Sequence, residues 1–136
     1  MKVLTIKQPY ASLISSGKKK IETRSWKTNY RGELYIHAGM KIITKKDLQK
    51  PGLKDLIGND DVEKYGKILC KCTLVDCIYM DDKYIENIKN NYPDQYICGR
   101  YEVGRYAWVL DNVEPLNEPI EAKGQLSIWN YKKTTD

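Results

Sequence analysis

The sequence lacks phenylalanine, contains one histidine and four cysteines, and has no long apolar run in its 136 residues. A helix that crosses a bilayer needs roughly 20 consecutive apolar residues, so no such helix is predicted.

The single imidazole, His37, excludes a ribonuclease mechanism that uses two histidines. Two interpretations of His37 stay open at this point: a residue that lines a cleft, or a structural residue whose ring is fully hydrogen-bonded.

The four cysteines do not form a metal-binding pattern. No Cys-x-x-Cys pair is present, and the spacing of Cys70, Cys72, Cys77 and Cys98 does not fit a zinc site. Cys70 and Cys72 are two residues apart in an apolar stretch, so on a strand they share one face. We expect these residues to be buried, reduced thiols, and we predict neither a bound metal nor an organic cofactor.

Composition indicates a globular protein of one domain. Hydrophobic residues make up 41% of the chain and charged residues 30%, and the length suits a single domain over residues 1–136. The N-terminal segment Met1–Lys7 has charges within its apolar stretch, which is unlike a signal peptide, so we expect a cytoplasmic location. The polar tail at 130–136 is expected to be frayed.

Basic residues are concentrated near the N-terminus. Residues 1–46 contain 11 Lys or Arg but only two acids, Glu22 and Glu33, whereas the whole chain carries +5. A basic segment on a neutral-to-acidic body favours an anionic partner. Several of these lysines can instead form an ordinary solvated surface, which is our interpretation of Lys18, Lys41, Lys45 and Lys46.

Hydrophobic patterning predicts a series of short strands joined by short helices. Strands are predicted at 3–6, 21–26, 33–38, 66–78, 105–113 and 124–129, and 116–120 reads as an edge or a bulge because of Pro119. Helices are predicted after Pro9, from Thr44 to a break at Pro51, and over 53–57, whereas 81–91 is a helix or an irregular polar segment. Irregularly spaced strands with short helices indicate an α+β fold, built on a small, partly open β-barrel of five to six strands.

The predicted strand at 21–26 carries an unusual face. Glu22, Arg24 and Trp26 alternate along it and therefore project to the same side. Pairing with Glu22 could orient the Arg24 guanidinium toward a phosphate, and Trp26 could stack on a nucleobase. A surface salt bridge beside a core tryptophan is an equally ordinary explanation.

The pattern Gly17-x-Lys19-x-x-Glu22-x-Arg24 resembles the G-x-K-x-x-E-x-R signature of the ASCH domain family, which belongs to the PUA-like superfamily. The segments at 4–14, 31–38, 74–77, 106–110 and 123–124 also resemble successive elements of that family, in the same order. The chain is similar to its small, single-domain members of the prokaryotic type. The resemblance extends from residue 3 to about residue 130.

The resemblance implies a PUA-like β-barrel with a cleft between the first helix and the barrel. It implies that the cleft binds RNA or a nucleotide-like ligand. The residues expected to take part in binding are Gln8, Pro9, Lys19, Glu22, Arg24, Trp26 and Arg31.

Two other functions stay open. One is an enzyme that acts on RNA or a modified nucleoside, as a ribonuclease or an amidohydrolase, with Lys19 and Glu22 as acid and base. A branch of the family that hydrolyses acetylated cytidine has threonine where this chain has Glu22, so that activity is not carried over. The other is a protein partner, such as an acidic peptide in the cleft. The sequence does not determine the oligomeric state.

Overall fold

The computed structural model describes residues 1–132. Its strands are β1 (Lys2–Ile6), β2 (Ile21–Arg24), β3 (Gly32–Ala38), β4 (Lys67–Tyr79), β5 (Tyr106–Glu121) and β6 (Ile128–Asn130). Its helices are α1 (Tyr10–Ser15), α2 (Leu53–Ile57), α3 (Asp82–Asn91) and α4 (Pro93–Ile97), and a 3₁₀ turn covers Asp47–Gln49.

The six strands form one sheet in the order β2-β5-β4-β3-β1-β6, which curls into a half-barrel. Strands β1 and β3 are parallel, and the other neighbouring pairs are antiparallel. Pairing between β4 and β5 shifts register three times, and such bulges increase local bend and twist. The predicted α+β fold, a partly open barrel with short helices around it, is confirmed.

The main core lies between α1 and the concave side of the sheet. Trp108 on β5 is completely buried, as the sequence predicts, and packs with Leu34 and Ile36 from β3. Helix α1 has only six residues, so it depends on this packing rather than on its own helix propensity. Because Ala11 and Ile14 enter the core, the start of α1 is held close to the end of β1.

Several predicted boundaries are wrong. The segments at 105–113 and 116–120 form the single strand β5, and Pro119 lies where β5 has only β4 as a paired neighbour. Strands β2 and β6 are shorter than the predicted 21–26 and 124–129. Of the predicted tail, Asn130 ends β6 and the Tyr131 amide donates to the Met1 carbonyl, while residues 133–136 lie outside the described part of the chain.

The helix predicted from Thr44 forms only the 3₁₀ turn. The Thr44 hydroxyl accepts from the Asp47 amide at 3.2 Å, and the Asp47 carboxylate accepts from the Thr44 amide at 2.9 Å. This reciprocal pair is the predicted cap. The turn stops there because Lys50 precedes Pro51 and takes an extended conformation, with ψ of 126°.

The cysteines are free thiols, as predicted. Cys70, Cys72 and Cys98 are buried, and Cys77 is partly buried. Burial raises the pKa of Cys70 and of Cys72 to about 12, so both thiols stay protonated. Among residues 1–132, no helix is long and apolar enough to span a membrane.

His37 is a structural residue whose ring is fully hydrogen-bonded, which agrees with the second of the two interpretations given for it above. Its ring is completely buried, with Nε2 2.7 Å from the Ala122 carbonyl and Nδ1 3.2 Å from the Thr5 hydroxyl. The Trp129 indole donates to the same hydroxyl at 3.0 Å. A neutral ring protonated on Nε2 satisfies every group in this chain of hydrogen bonds.

We expect the His37 ring to titrate below its ordinary pKa of 6.5, because burial disfavours the charged ring and lowers its pKa. Between the two pKa values the unfolded chain binds more protons, so stability is full above about pH 6.5 and decreases as the pH falls toward the folded-state value. As His37 is the only histidine, one imidazole resonance in an NMR titration reports its pKa.

The matched variant is His37→Gln, which cannot take up the proton. Its free energy of unfolding should decrease less steeply over the same pH interval, measured by urea denaturation. A pKa of 6.5 or higher in the native protein would contradict the assignment of a buried neutral ring.

Candidate functional site

An open cleft of about 560 Å³ lies where β1 meets α1, beside β2. One wall comes from the end of β1 and the start of α1, and another from the segment between α4 and β5. The lining residues are Thr5, Ile6, Lys7, Tyr10, Glu22, Thr23, Arg24, Ser25, Trp26, Lys50, Cys98, Gly99, Arg100 and Arg105.

The lining is strongly basic. It includes five cationic side chains, those of Lys7, Arg24, Lys50, Arg100 and Arg105, and a single carboxylate, that of Glu22. Glu22 is already paired within the protein, so it does not neutralise the rest. A concave surface lined by charge of one sign concentrates the field and attracts the opposite charge.

Glu22 fixes the orientation of Arg24. The two residues are two apart on β2, and the guanidinium Nε and Nη2 lie 3.0 and 2.8 Å from the same carboxylate oxygen. Nη2 also donates to the Thr5 carbonyl on β1 at 2.9 Å. This arrangement is the orienting pair that strand alternation predicts, with a backbone carbonyl as an additional anchor.

Lys19 lies beneath the cleft and is only 1% exposed. Its ammonium donates to the Ile21 carbonyl at 2.7 Å and to the Cys98 carbonyl, and lies 3.4 Å from the other Glu22 oxygen. An ammonium has three N–H donors, and three acceptors surround this one. Lys19 is therefore placed to hold Glu22 and the Cys98 segment rather than to contact a ligand.

The segment after α4 supplies a second anchored arginine. Arg105 donates from Nε to the Arg100 carbonyl at 3.1 Å and from Nη2 to the Thr23 carbonyl at 3.4 Å. The Arg100 amide donates to the Thr23 hydroxyl at 3.0 Å, which ties the segment to β2. The Arg100 side chain is exposed and bonds to Glu102.

Lys50 and Tyr10 complete the cleft. The Lys50 ammonium donates to the Gly99 carbonyl at 3.1 Å. Burial, and then the nearby charge of Lys19, lower the pKa of Lys50. The Tyr10 ring lies under the ammonium groups of Lys7 and Lys19, and burial raises the pKa of its hydroxyl.

Trp26 lines the cleft from a bend after β2. Its ring meets Trp108 edge to face, with centroids 4.6 Å apart, and its carbonyl accepts from the Trp108 indole at 3.3 Å. The side chain is half-buried. One part of the ring therefore contacts the core while another borders the cleft, where its predicted stacking on a base stays a prediction.

The structure brings Glu22, Arg24 and Trp26 together at the cleft, but not all of the predicted residues. Gln8 is 2% exposed, and its amide bonds to the Ser12 hydroxyl and the Lys64 carbonyl at 2.7 and 2.9 Å. Pro9 is buried next to it. Arg31 is exposed outside the cleft lining, with its guanidinium bonded to the Thr28 and Tyr30 carbonyls.

Sequence analysis did not single out Lys7, Tyr10, Lys50, Arg100 or Arg105 as site residues. The one available signal is the repeated dipeptide Gly-Arg, at 99–100 and 104–105, in a short segment between elements. Binding and catalytic residues are found on loops more often than on the elements that the loops connect. Within residues 1–132, no group of three or more His, Cys, Asp or Glu side chains could hold a metal ion.

The family comparison agrees with the motif and the fold. The ASCH domain family model matches residues 4–120, most of the chain. This chain belongs to the ASCH domain family. Activating signal cointegrator 1 from Homo sapiens is 27% identical to this ASCH domain over 132 residues, and the protein of that name from Mus musculus is 26% identical. The chain spans 21% of the length of these relatives.

Solved structures show the same fold. The crystal structure of ASCH from Zymomonas mobilis superimposes with a TM-score of 0.55 at 18% identity, over 88% of this ASCH domain and 72% of that chain. A tyrosine-to-phenylalanine variant of that protein gives a TM-score of 0.53 at 19% identity, over 88% and 74% of the two chains. The half-barrel is therefore the PUA-like fold of ASCH domains.

Replacing Lys19 by Met should destabilise this ASCH domain by about 3 kcal/mol, because two buried carbonyls and the Glu22 carboxylate lose their cationic partner. The free energy of unfolding in urea measures the loss. Lys20→Ala is the matched control, because Lys20 is exposed and its removal should cost less than about 0.5 kcal/mol. Equal stability of the Lys19 variant and the wild type would contradict a structural role.

Proposed function

We propose that this ASCH domain binds RNA, or a nucleotide-like ligand, in the cleft beside β2. The observation that carries the proposal is the convergence of five cationic side chains on one open cleft whose single carboxylate is already paired. The role in RNA binding that the family resemblance implies supports the same assignment.

Arg24 is the residue expected to contribute most. A guanidinium presents donors in a planar fork that matches phosphate oxygens, and Glu22 and Thr5 hold this one in a fixed orientation. Less side-chain entropy is then lost on binding. Lys7, Lys50 and Arg105 add charge around it, and the part of the Trp26 ring that borders the cleft is available for stacking on a base.

The other predicted residues have supporting roles in this proposal. Lys19 and Glu22 position Arg24 and the segment around Cys98. Gln8 and Pro9 hold the β1–α1 junction, from which Lys7 and Tyr10 reach the cleft. Arg31 contributes only if RNA extends past the cleft, and its predicted role in binding stays a prediction.

RNA binding should weaken steeply as salt increases, because bound phosphates release counterions. For about four phosphate contacts, the plot of log affinity against log salt concentration should have a slope of about −3. Arg24→Ala should lower the affinity at every salt concentration and make the slope shallower by about 0.7. Fluorescence anisotropy with a short labelled single-stranded RNA measures both quantities.

Lys83→Ala on α3 is the matched control, since it removes one exposed positive charge outside the cleft. Arg31→Ala tests the more distant prediction in the same assay. If Lys83→Ala and Arg24→Ala reduced affinity and slope equally, general charge rather than the cleft would explain binding. Affinity independent of salt would also contradict the proposal.

The alternative function, an enzyme on RNA or a modified nucleoside, stays a prediction. The Lys19 ammonium is buried with its donors engaged, and both Glu22 oxygens are within 3.4 Å of a cationic partner. This geometry fits a role for Lys19 and Glu22 in positioning other groups better than it fits a role in proton transfer. Incubation with RNA and with acylated nucleosides, followed by mass analysis, separates the two functions: products that disappear in Glu22→Gln would establish catalysis.

A protein partner is the remaining alternative. An acidic peptide would also be attracted to the five cations, but it would not need the planar fork that Arg24 presents. Competition between RNA and a captured partner distinguishes the two, because RNA should displace anything bound in the cleft. Failure of RNA to compete would favour the peptide.

A further inference from the structure

Two arginines that border the cleft are anchored in the same chemical manner. Arg24 uses Nε and Nη2 to bond to Glu22 and to the Thr5 carbonyl. Arg105 uses Nε and Nη2 to bond to the Arg100 and Thr23 carbonyls. Among residues 1–132, neither Nη1 group has a protein acceptor within hydrogen-bond distance. Each guanidinium is thus held by one edge and keeps donors available on the other.

The two anchors belong to different walls of the cleft. Thr5 lies on β1, whereas the Arg100 carbonyl belongs to the segment between α4 and β5. Thr23, which anchors Arg105, directly precedes Arg24 on β2. Both guanidinium groups line the same cleft, and a phosphate bound there could accept hydrogen bonds from both.

The cleft also carries more positive charge than is needed to bind one internal phosphate of an RNA strand. A cleft of about 560 Å³ has the size of a site for one small-molecule ligand, yet five cationic side chains line it, of which Arg24 and Arg100 are paired with a carboxylate. A phosphodiester carries one negative charge and two free oxygens. A terminal phosphate monoester carries nearly two charges at neutral pH and three free oxygens.

We propose that the cleft recognises the terminal phosphate of a nucleotide, with Arg24 and Arg105 clamping the phosphate monoester. Its ligand is then the phosphorylated end of an RNA strand or a free mononucleotide. This inference rests on the proposed function and narrows it from RNA in general to a phosphate-bearing end.

The test compares short single-stranded RNAs of one sequence that differ only at their ends. The strands carry a 5′-phosphate, a 3′-phosphate or hydroxyls at both ends, and a hydroxyl-ended strand with one more nucleotide matches the number of phosphates. One of the phosphorylated strands should bind at least about tenfold tighter than the hydroxyl strand, and the longer strand should not. The gain should shrink below about pH 6, where the monoester takes up a proton.

Free ligands and variants complete the design. Nucleoside monophosphates should bind and the corresponding nucleosides should not, measured by calorimetry. Arg105→Lys keeps the charge but loses the planar fork, so it should weaken binding of the phosphorylated strand more than binding of hydroxyl-ended RNA and thereby remove most of the gain. Arg24→Lys should act in the same direction, and Lys83→Ala should keep the full gain. Circular dichroism checks that each variant is folded.

The outcomes separate this inference from the proposed function. Equal affinity for all the strands would overturn the end-recognition inference and leave RNA binding intact. Binding of mononucleotides without binding of any RNA would exclude RNA as the ligand, leave the nucleotide-like ligand of the proposed function, and support the phosphate clamp. A gain that survives in folded Arg105→Lys and Arg24→Lys would overturn the clamp, and no binding of either ligand would overturn both proposals.

Discussion

A buried ammonium group connects the three segments that form the cleft. Lys19 bonds to a β2 carbonyl, to the Cys98 carbonyl and, at 3.4 Å, to the Glu22 carboxylate. Glu22 in turn orients Arg24, whose guanidinium reaches the Thr5 carbonyl on β1. Burial of a charge costs several kcal/mol unless its partners are well placed. The shape of the cleft therefore depends on a charge that is buried beneath its lining. In this chain the G-x-K-x-x-E-x-R motif supplies that buried support as well as residues of the cleft surface.

Hydrophobic patterning predicted the sheet well because each strand has a buried face. Examples are the long apolar run of β4 and the segment of β5 around Trp108, where residues that the hydrophobic pattern assigns to the buried face are buried in the structure. The misses have local causes. Thr44 and Asp47 form the expected cap, yet the extended residue before Pro51 stops the turn. Helix α4 has only five residues and was not predicted, although Pro93 stands at its start, where proline is favoured.

The candidate site was only partly predictable. Alternation along β2 placed Glu22 and Arg24 on one face, and the structure shows that they pair. The burial of Lys19 could not be deduced from the sequence, because a lysine within a run of basic residues is expected to be exposed to solvent. The concentration of basic residues in the first 46 positions was also misleading, because Arg100 and Arg105 come from the more acidic part of the chain. Hydrogen bonds to β2 hold their segment at the cleft. Only the folded chain brings those groups to the N-terminal cations.

Because β2 lies at the edge of the sheet, Lys19 and Arg105 have a second effect besides shaping the cleft. An edge strand exposes unpaired carbonyls, which can template pairing with another chain. On β2 the Ile21 carbonyl accepts from Lys19, and the Thr23 carbonyl accepts from Arg105. The cations that shape the cleft thus also block intermolecular strand addition at this border. Loss of either cation would therefore leave an edge carbonyl of β2 unpaired as well as alter the cleft.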